Sequence, residues 1–277
     1  MSFPPQPDGE VLSAAEADEQ AYSAENLAPP RRHTRSILSA PGTYVLVGIN
    51  CAVYLWMVLH GVDPANPTPV QLIHFGANVP VLVLNGGWYR LLTATFVHVG
   101  LIHLLTNMWC LWNLGLLGEP LLGRWGMGAV YLLTGIAGNL LSLGVNVLMH
   151  NMVSVGAGAS GAVFGIAGIL IVLLSNYKLP IPAYELQRLR KSVIQFAGLN
   201  LVIGLVTGVL PLLHIDNFIR IDNSAHVGGF LSGLALGLPL RPEMTMGRSR
   251  YLTRQKITFA AAALFLALFG YWIANLG

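Results

Sequence analysis

Residues 151–168 read NMVSVGAGASGAVFGIAG, a run of small side chains that carries one serine, Ser160, into an apolar segment. The segment 159–175 predicts a membrane-spanning helix of about 17 residues, or roughly 25 Å. Because a bilayer core is about 30 Å thick, we expect this helix to begin below the membrane surface. The irregular backbone over 149–158 is tolerated at that depth only beside a cavity or inside protein. A wet cavity is therefore expected next to Ser160.

The composition of the whole chain favours the bilayer. Of 277 residues, 54% are hydrophobic and only 10% are charged, whereas a soluble domain carries roughly 25% charged residues. We therefore expect an all-α polytopic membrane protein with no internal repeat, which argues against an inverted-repeat transporter. The predicted spans are 43–60, 99–118, 126–148, 159–175, 192–213, 224–240 and 257–276.

Lysine and arginine residues set the expected orientation. With the N-terminus in the cytoplasm, all of the 15 basic residues except Arg90 and Arg220 fall on the cytoplasmic side. The C-terminus is then outside. Six of the 12 acidic residues precede position 26, in a stretch without apolar periodicity or the parts of a signal peptide. The expected regions are a disordered acidic cytoplasmic tail (1–36), a membrane domain (37–240), a basic cytoplasmic linker (241–256) and a further transmembrane helix (257–277).

The first outer connection, 61–98, is long and mixed in character. It holds four prolines, but also the apolar stretch VPVLVL and the aromatic pair Trp88 and Tyr89. A wholly solvated loop does not need such apolar content. We expect this connection to lie partly in the membrane interface or to pack against the helices.

Five polar side chains lie near the outer ends of predicted spans: His98, His103, Asn107, Ser160 and His226. Polar groups inside a membrane are costly and face a bundle interior or a wet cavity. All five lie within about three helical turns of the outer surface, so they share one depth. Ser160 and His226 can then act as a nucleophile and its general base. The free N–H groups at the helix start, with His103 and Asn107 on one helix face, can donate to a developing oxyanion.

Simpler interpretations of single residues stay open. A serine among small residues is more often a packing residue, and a histidine near a membrane interface more often an interfacial hydrogen-bonder. Asp216 and Asp222 precede His226 and either can approach it, but neither spacing requires this, so a two-residue mechanism is more economical. Ala162 breaks the G-x-S-x-G pattern and excludes an α/β-hydrolase.

No metal, other cofactor or nucleic-acid partner is expected. His98 and His103 are five positions apart, which does not place both on one helical face, and no third ligand is in view. Cys51 and Cys110 lie inside apolar runs, and two thiols are too few for a disulfide framework or a cysteine-based metal site. They are predicted to pack as small apolar groups. The net charge of +3 is explained by basic membrane flanks.

Small residues predict close packing of the fourth and sixth spans. They are Gly156, Gly158, Gly161 and Gly165 on one side, and Gly229, Gly233 and Gly237 on the other. If these faces meet, Ser160 comes to His226. Phe164, one turn after Ser160, can then stack on the imidazole and limit its rotamers.

Three stretches resemble the rhomboid family of intramembrane serine proteases. They are WYRLLTATFVHVGLIHLLTNMWCLWNLG (88–115), GASGAVFG (158–165) and AHVGGFLSG (225–233), in the family's order within 43–240. The signature H-x-x-x-x-H-x-x-x-N matches His98, His103 and Asn107. G-x-S-G matches Gly158, Ser160 and Gly161, and A-H-x-x-G-x-x-x-G matches Ala225, His226, Gly229 and Gly233.

The resemblance implies a six-helix rhomboid core plus the seventh C-terminal transmembrane helix. It implies that Ser160 is the nucleophile and His226 the base and acid of a dyad. The oxyanion hole would be the Ser160 amide with His103 and Asn107, and His98 would be a structural neighbour. Family aromatics one turn after the serine are often Tyr, so Phe164 keeps the ring and loses the hydroxyl.

Two further features resemble family motifs. Trp88 or Tyr89 with Arg90 is similar to the aromatic–Arg motif of the first long loop. Glu119 with Arg124 is similar to an acid–Arg pairing after the second span, and is predicted as an ion pair or a solvated loop.

The resulting hypothesis is hydrolysis of peptide bonds in or near single-span transmembrane substrates within the lipid bilayer. Cleavage is expected near small residues, where a helix unwinds easily, with a lateral gate near 210–224. The charge distribution fits a bacterial inner membrane, and it fits other membranes as well. A catalytically dead relative that binds transmembrane clients would lack the serine or the histidine, and this chain has both. A transporter or channel would show mid-membrane charges or repeated halves.

Overall fold

The computed structural model of the chain describes residues 40–209 and 222–276, with side chains of 204–209 left out of the description. The predicted tail 1–36, Asp216 and most of the predicted gate lie outside the described residues. The helices are α1 (Pro41–Leu59), α2 (Pro69–His74), α3 (Pro80–Leu84), α4 (Arg90–Thr93), α5 (Leu101–Leu148), α6 (Ser160–Leu173), α7 (Ala183–Val209), α8 (Asn223–Leu240) and α9 (Arg248–Ala274). A short 3₁₀ helix at Pro242–Thr245 precedes α9.

The second and third predicted spans are two helices that meet at Gly123 and together make up α5. This residue has φ 74° and ψ 162°, outside helical geometry, and glycine adopts a positive φ without steric cost. We call residues 101–122 the first limb and 124–148 the second limb. Carbonyl groups freed at the break accept from α9: Tyr251 Oη donates to Leu121 O at 3.0 Å, and Gln255 Nε2 donates to Leu122 O at 2.9 Å.

The start of α9 differs from the predicted boundary. It begins at Arg248 rather than at 257, so most of the predicted linker 241–256 is helical. Three described helices, α1, α5 and α9, are long and apolar enough to cross a membrane, and α6 is a shorter apolar helix of 14 residues.

Glu119 holds the start of α1. Its carboxylate accepts from Gly42 N at 2.8 Å and from Thr43 N and Thr43 Oγ1, both at 2.7 Å, and the side chain is only 3% exposed. The first N–H groups of a helix lack internal partners, and an anion suits the positive end of the helix dipole. The prediction of an ion pair with Arg124 or a solvated loop is therefore wrong. Arg124 lies instead with its guanidinium 5.3 Å from the ring centre of Trp125.

The long connection 61–98 packs on the helices, as predicted. It folds into α2, α3 and α4, and Val83 and Leu91 lie in one buried cluster with Leu140 of α5 and Ile273 of α9. Arg90 ties the connection together because its Nη1 donates to two carbonyl groups, Ile73 O at 2.8 Å and Ala77 O at 3.1 Å.

Helix α6 is the centre of the fold. Twelve of its 14 residues are buried, and it packs most extensively against α8 and α5. The predicted contact between the fourth and sixth spans is confirmed: a Cβ at Gly229 would overlap the Gly161 carbonyl oxygen, and one at Gly233 the Gly165 carbonyl oxygen. Gly165 itself faces the Thr134 side chain of α5. The close backbone contact fixes α6 and α8 relative to each other.

Candidate active site

A cavity of about 460 Å³ opens between α5, α6, α7 and the start of α8. Seven of the ten predicted site residues line it: His103, Asn107, Gly158, Ser160, Gly161, Phe164 and His226. Gly229 and Gly233 lie in the interface between α6 and α8 instead. His98 lies behind His103, with a ring-centroid separation of 5.5 Å.

Ser160 is the first residue of α6 and is partly exposed to the cavity. Ala159 precedes it without a side-chain cap, so the N–H groups of the first turn have no partner inside the helix. Gly158 has φ 131°, and a Cβ there would lie 2.6 Å from His103 Cε1. The backbone before Ser160 therefore passes directly against the His103 ring, which only glycine permits.

His226 lies in the first turn of α8 and is 6% exposed. Its ring stacks on Phe164 with a centroid separation of 4.4 Å and an angle of 17°, the stacking that the sequence suggested. Nδ1 is buried and has no hydrogen-bond partner among the described residues. In that part of the chain, the imidazole is thus oriented by an aromatic ring rather than by a third polar side chain.

Ser160 and His226 line the same cavity, and within the described ranges no hydrogen bond joins them. Catalytic hydrogen bonds are often long without substrate and tighten when it binds. The packing of α8 on α6 determines how closely the Ser160 and His226 side chains approach each other.

His103 and Asn107 offer hydrogen-bond donors from the first turns of α5. Val99 N donates to His103 Nδ1 at 3.3 Å, so a neutral ring carries its proton on Nε2. That nitrogen lies 3.1 Å from the position of a Cβ at Gly158, two residues before Ser160. Asn107 Nδ2 donates to His103 O at 2.9 Å and keeps a second N–H for the cavity.

His98 is fully buried beside these donors. Its Nδ1 lies 3.0 Å from Phe96 O and donates to it, because a carbonyl oxygen only accepts. Nε2 is then an acceptor, and it is buried without a partner among the described residues. His98 thus packs behind His103 instead of facing the cavity.

Asp222 and Asn139 also line the cavity, and neither was selected as a site residue from the sequence. Asp222 Oδ1 accepts from Ala225 N at 3.1 Å, and Oδ2 accepts from Ser142 Oγ. The two carboxylate oxygens of Asp222 therefore accept from Ala225 and Ser142 rather than from the His226 ring. An aspartate just before an apolar helix is a sequence signal for an N-cap, and an asparagine within a span signals a polar interior.

The two cysteines differ in environment. Cys51 is exposed on the outside of α1, whereas Cys110 is partly buried, packs against the core and lines the cavity. Across the described ranges, no cluster of three or more His, Cys, Asp or Glu side chains has the arrangement of a metal site.

A family model described as the Rhomboid domain matches residues 85–243, which include the whole cavity region of α5, α6 and α8. The chain belongs to the rhomboid family. This confirms the assignment from the motifs, and with it an all-α, polytopic, integral membrane protein.

Curated relatives of this rhomboid occur in bacteria and plants. The chain is 31% identical to Rhomboid protease GluP of Bacillus subtilis (strain 168) over 71% of this chain and 35% of GluP. It is 35% identical to RHOMBOID-like protein 5 of Arabidopsis thaliana over 68% of this chain and 55% of that relative. With Rhomboid protease AarA of Providencia stuartii the identity is 29% over 71% of each. The chain thus spans about a third of GluP and about half of the plant relative.

Proposed function

We propose that this rhomboid is an intramembrane serine endopeptidase that uses Ser160 and His226 as a catalytic dyad. The observation that carries the proposal is the shared cavity, in which Ser160, the stacked His226 and the donors of His103 and Asn107 all meet. Each of these side chains alone has a simpler explanation. Their convergence at the start of one short helix supports the function.

The chemistry follows from the positions of the groups. His226 takes the Ser160 hydroxyl proton as Oγ attacks a peptide carbonyl carbon, and the carbonyl π bond opens to an oxyanion. The Ser160 N–H, His103 Nε2–H and Asn107 Nδ2–H then donate to this oxyanion. His226 returns the proton to the leaving amine, and an acyl-enzyme forms on Ser160. Water, activated by the same imidazole, hydrolyses that ester and restores the free serine.

The substrates of the proposed reaction are single-span transmembrane proteins. A helical substrate hides its carbonyl groups behind its own hydrogen bonds, so cleavage is expected near small residues where the helix unwinds. The cavity reaches both α5 and α7, since Thr106 and Cys110 of α5 and Phe196 and Asn200 of α7 are among its lining residues. This arrangement supports lateral entry beside α7, the helix that precedes the predicted gate (210–224) in the sequence.

The proposed orientation has the N-terminus in the cytoplasm, the C-terminus outside and the cavity in the outer half of a bacterial inner membrane. It is supported by the distribution of the 15 basic residues and by the bacterial relatives.

Cleavage of a model single-span substrate by the purified protein in liposomes tests the proposal. Wild-type protein should cleave, and Ser160→Ala and His226→Ala should each reduce cleavage by at least about a thousandfold, as expected for groups that act as a unit. A fluorophosphonate should label the wild-type chain at Ser160, and His226→Ala should abolish this labelling. Cleavage that persists in Ser160→Ala would refute the proposal. Binding of the substrate without cleavage by the wild type would instead indicate a catalytically dead relative.

A further inference from the structure

Asp222 lies at the edge of the cavity, close to three elements. Its Oδ1 accepts from Ala225 N in the first turn of α8, and its Oδ2 accepts from Ser142 Oγ in the second limb of α5. A Cβ at Gly156, in the segment before α6, would lie 3.6 Å from the same Oδ2. The carboxylate therefore lies where α5, the start of α8 and the approach to α6 meet.

The hydrogen bonds near Asp222 form a chain that runs from Asn146 through Ser142 to the Asp222 carboxylate. Asn146 Nδ2 donates to Ser142 O at 2.8 Å and lies 3.3 Å from Ser142 Oγ. The Ser142 hydroxyl accepts there and donates onward to Asp222, and Ser142 is only 2% exposed. Hydrogen bonds to a carboxylate are stronger than those between neutral groups, so the bond from Ser142 to Asp222 favours one arrangement of the two side chains.

His226 lies one helical turn after Asp222. His226 N donates to Asp222 O at 3.2 Å, so the backbone that carries the imidazole is bonded directly to the capping residue. The same turn lies close against α5, since a Cβ at Gly138 would lie 2.6 Å from Ala225 O. The rotation and depth of this turn determine where the imidazole lies above Ser160.

The remainder of α8 is held independently of Asp222. Gly229 and Gly233 pack against the α6 backbone further along the helix. Loss of the Asp222 side chain is therefore expected to loosen the first turn without separating α8 from α6.

We propose that Asp222 is a positioning residue for catalysis, which holds His226 over Ser160 by tying the first turn of α8 to Ser142. The inference rests on the proposed function, in which His226 is the general base. Asp222 acts through hydrogen bonds to Ser142 and Ala225 and touches neither the substrate carbonyl nor the Ser160 hydroxyl. Its negative charge is not the operative property.

The test compares Asp222→Ala, Asp222→Asn and Ser142→Ala with the wild type in the full chain. Asp222→Ala should lower kcat by about tenfold to a hundredfold, because misplacing a catalytic group by about 1 Å costs about a hundredfold. KM should change by less than about threefold, since uniform substrate binding is retained. Asp222→Asn should restore kcat to within about threefold of the wild type, because its oxygen still accepts from Ala225 N and its amide donates to Ser142 Oγ. Ser142→Ala should give an intermediate kcat.

Ser232→Ala is the matched control, because this hydroxyl lies in the same helix and, among the described residues, donates only to Gly229 O, at 2.8 Å. It should leave kcat, KM and Tm unchanged. A wild-type kcat in Asp222→Ala would overturn the inference. An Asp222→Asn variant with a kcat as low as that of Asp222→Ala would also overturn it, because the effect would then come from the charge. A fall in kcat that only follows a fall in Tm would overturn it as well.

The rate of fluorophosphonate labelling of Ser160 is measured on the same variants. A wild-type chain that is labelled but does not cleave counts against the proposed function, while the ratio of labelling rates between Asp222→Ala and wild type still decides the inference. A wild-type chain that is not labelled would overturn both.

Discussion

Replacing Gly233 with alanine should force α8 away from α6. The change should lower the thermal stability of the protein and slow the labelling of Ser160 by a fluorophosphonate. A Cβ at this position would lie 2.8 Å from the Gly165 carbonyl carbon and would overlap the carbonyl oxygen. Carbon atoms rest about 3.5–4.0 Å apart, so the two helices must separate by roughly 1 Å. The obstacle is backbone and cannot rotate aside as a side chain would.

The expected magnitude follows from this geometry. Overpacking typically costs about 1–3 kcal/mol, and a backbone obstacle places Gly233→Ala near the upper value of about 3 kcal/mol. At about 2–4 °C per kcal/mol for a chain of this size, Tm should fall by about 6–12 °C. The same displacement of roughly 1 Å moves His226 relative to Ser160, so the labelling rate of Ser160 should fall by about a hundredfold.

Thermal unfolding in detergent micelles and fluorophosphonate labelling measure the two effects. Gly128→Ala is the matched control, because a Cβ placed there in the second limb of α5 has no described atom within 4 Å apart from its own helix. It should leave labelling unchanged and leave Tm unchanged or slightly raised, since alanine favours a helix by about 1 kcal/mol over glycine. If Gly233→Ala and Gly128→Ala have the same Tm and labelling rate, the close packing of α6 and α8 does not govern the site.

Two other substitutions test separate contacts. Glu119→Ala leaves three donors at the start of α1 without their acceptor, two of them buried, and should cost about 3 kcal/mol or more. Glu119→Gln, which keeps one acceptor oxygen, should cost about half as much in thermal unfolding, and a wild-type Tm in Glu119→Ala would contradict the capping role. Phe164→Ala removes the ring stacked on His226 and should slow labelling of Ser160 by about twofold to tenfold, from about 0.5–1.5 kcal/mol of stacking. Phe164→Tyr keeps the ring, and its labelling rate should stay within about twofold of the wild-type rate. Equal labelling rates in Phe164→Ala and the wild type would refute the orienting role.

Most of the fold could be predicted from the sequence because a membrane constrains it so strongly. Apolar length alone located α1, α6 and α8 to within a few residues. The small-residue pattern of 158–165 and 229–233 predicted the contact of α6 with α8, since only glycine lets two backbones touch. Each of these patterns lies within one short segment of the sequence, so it can be recognised without knowing which segments are in contact.

The features that sequence reasoning missed depend on partners far along the chain. Glu119 bonds to Thr43, 76 residues earlier, and Asp222 bonds to Ser142, 80 residues earlier. Nothing in the spacing of Glu119 and Arg124 distinguishes an ion pair from a cap on another helix. The predicted connection between the second and third spans is present at Gly123. Its closure by Tyr251 and Gln255 was missed, because those residues lie far along the chain in α9.

The small residues around Ser160 serve packing and chemistry together. Gly158 brings the backbone against the His103 ring, where the Nε2–H donor lies beside the first turn of α6. The Gly161 carbonyl oxygen occupies the space that a Cβ at position 229 would need, so α8 packs directly on the backbone of α6. This contact brings the first turn of α8, which carries His226, to the start of α6. A larger side chain at either contact would displace a donor or the base by a distance that catalysis does not tolerate. The tight packing of α6 is thus the means by which the serine at its first position acquires its proposed base and oxyanion donors.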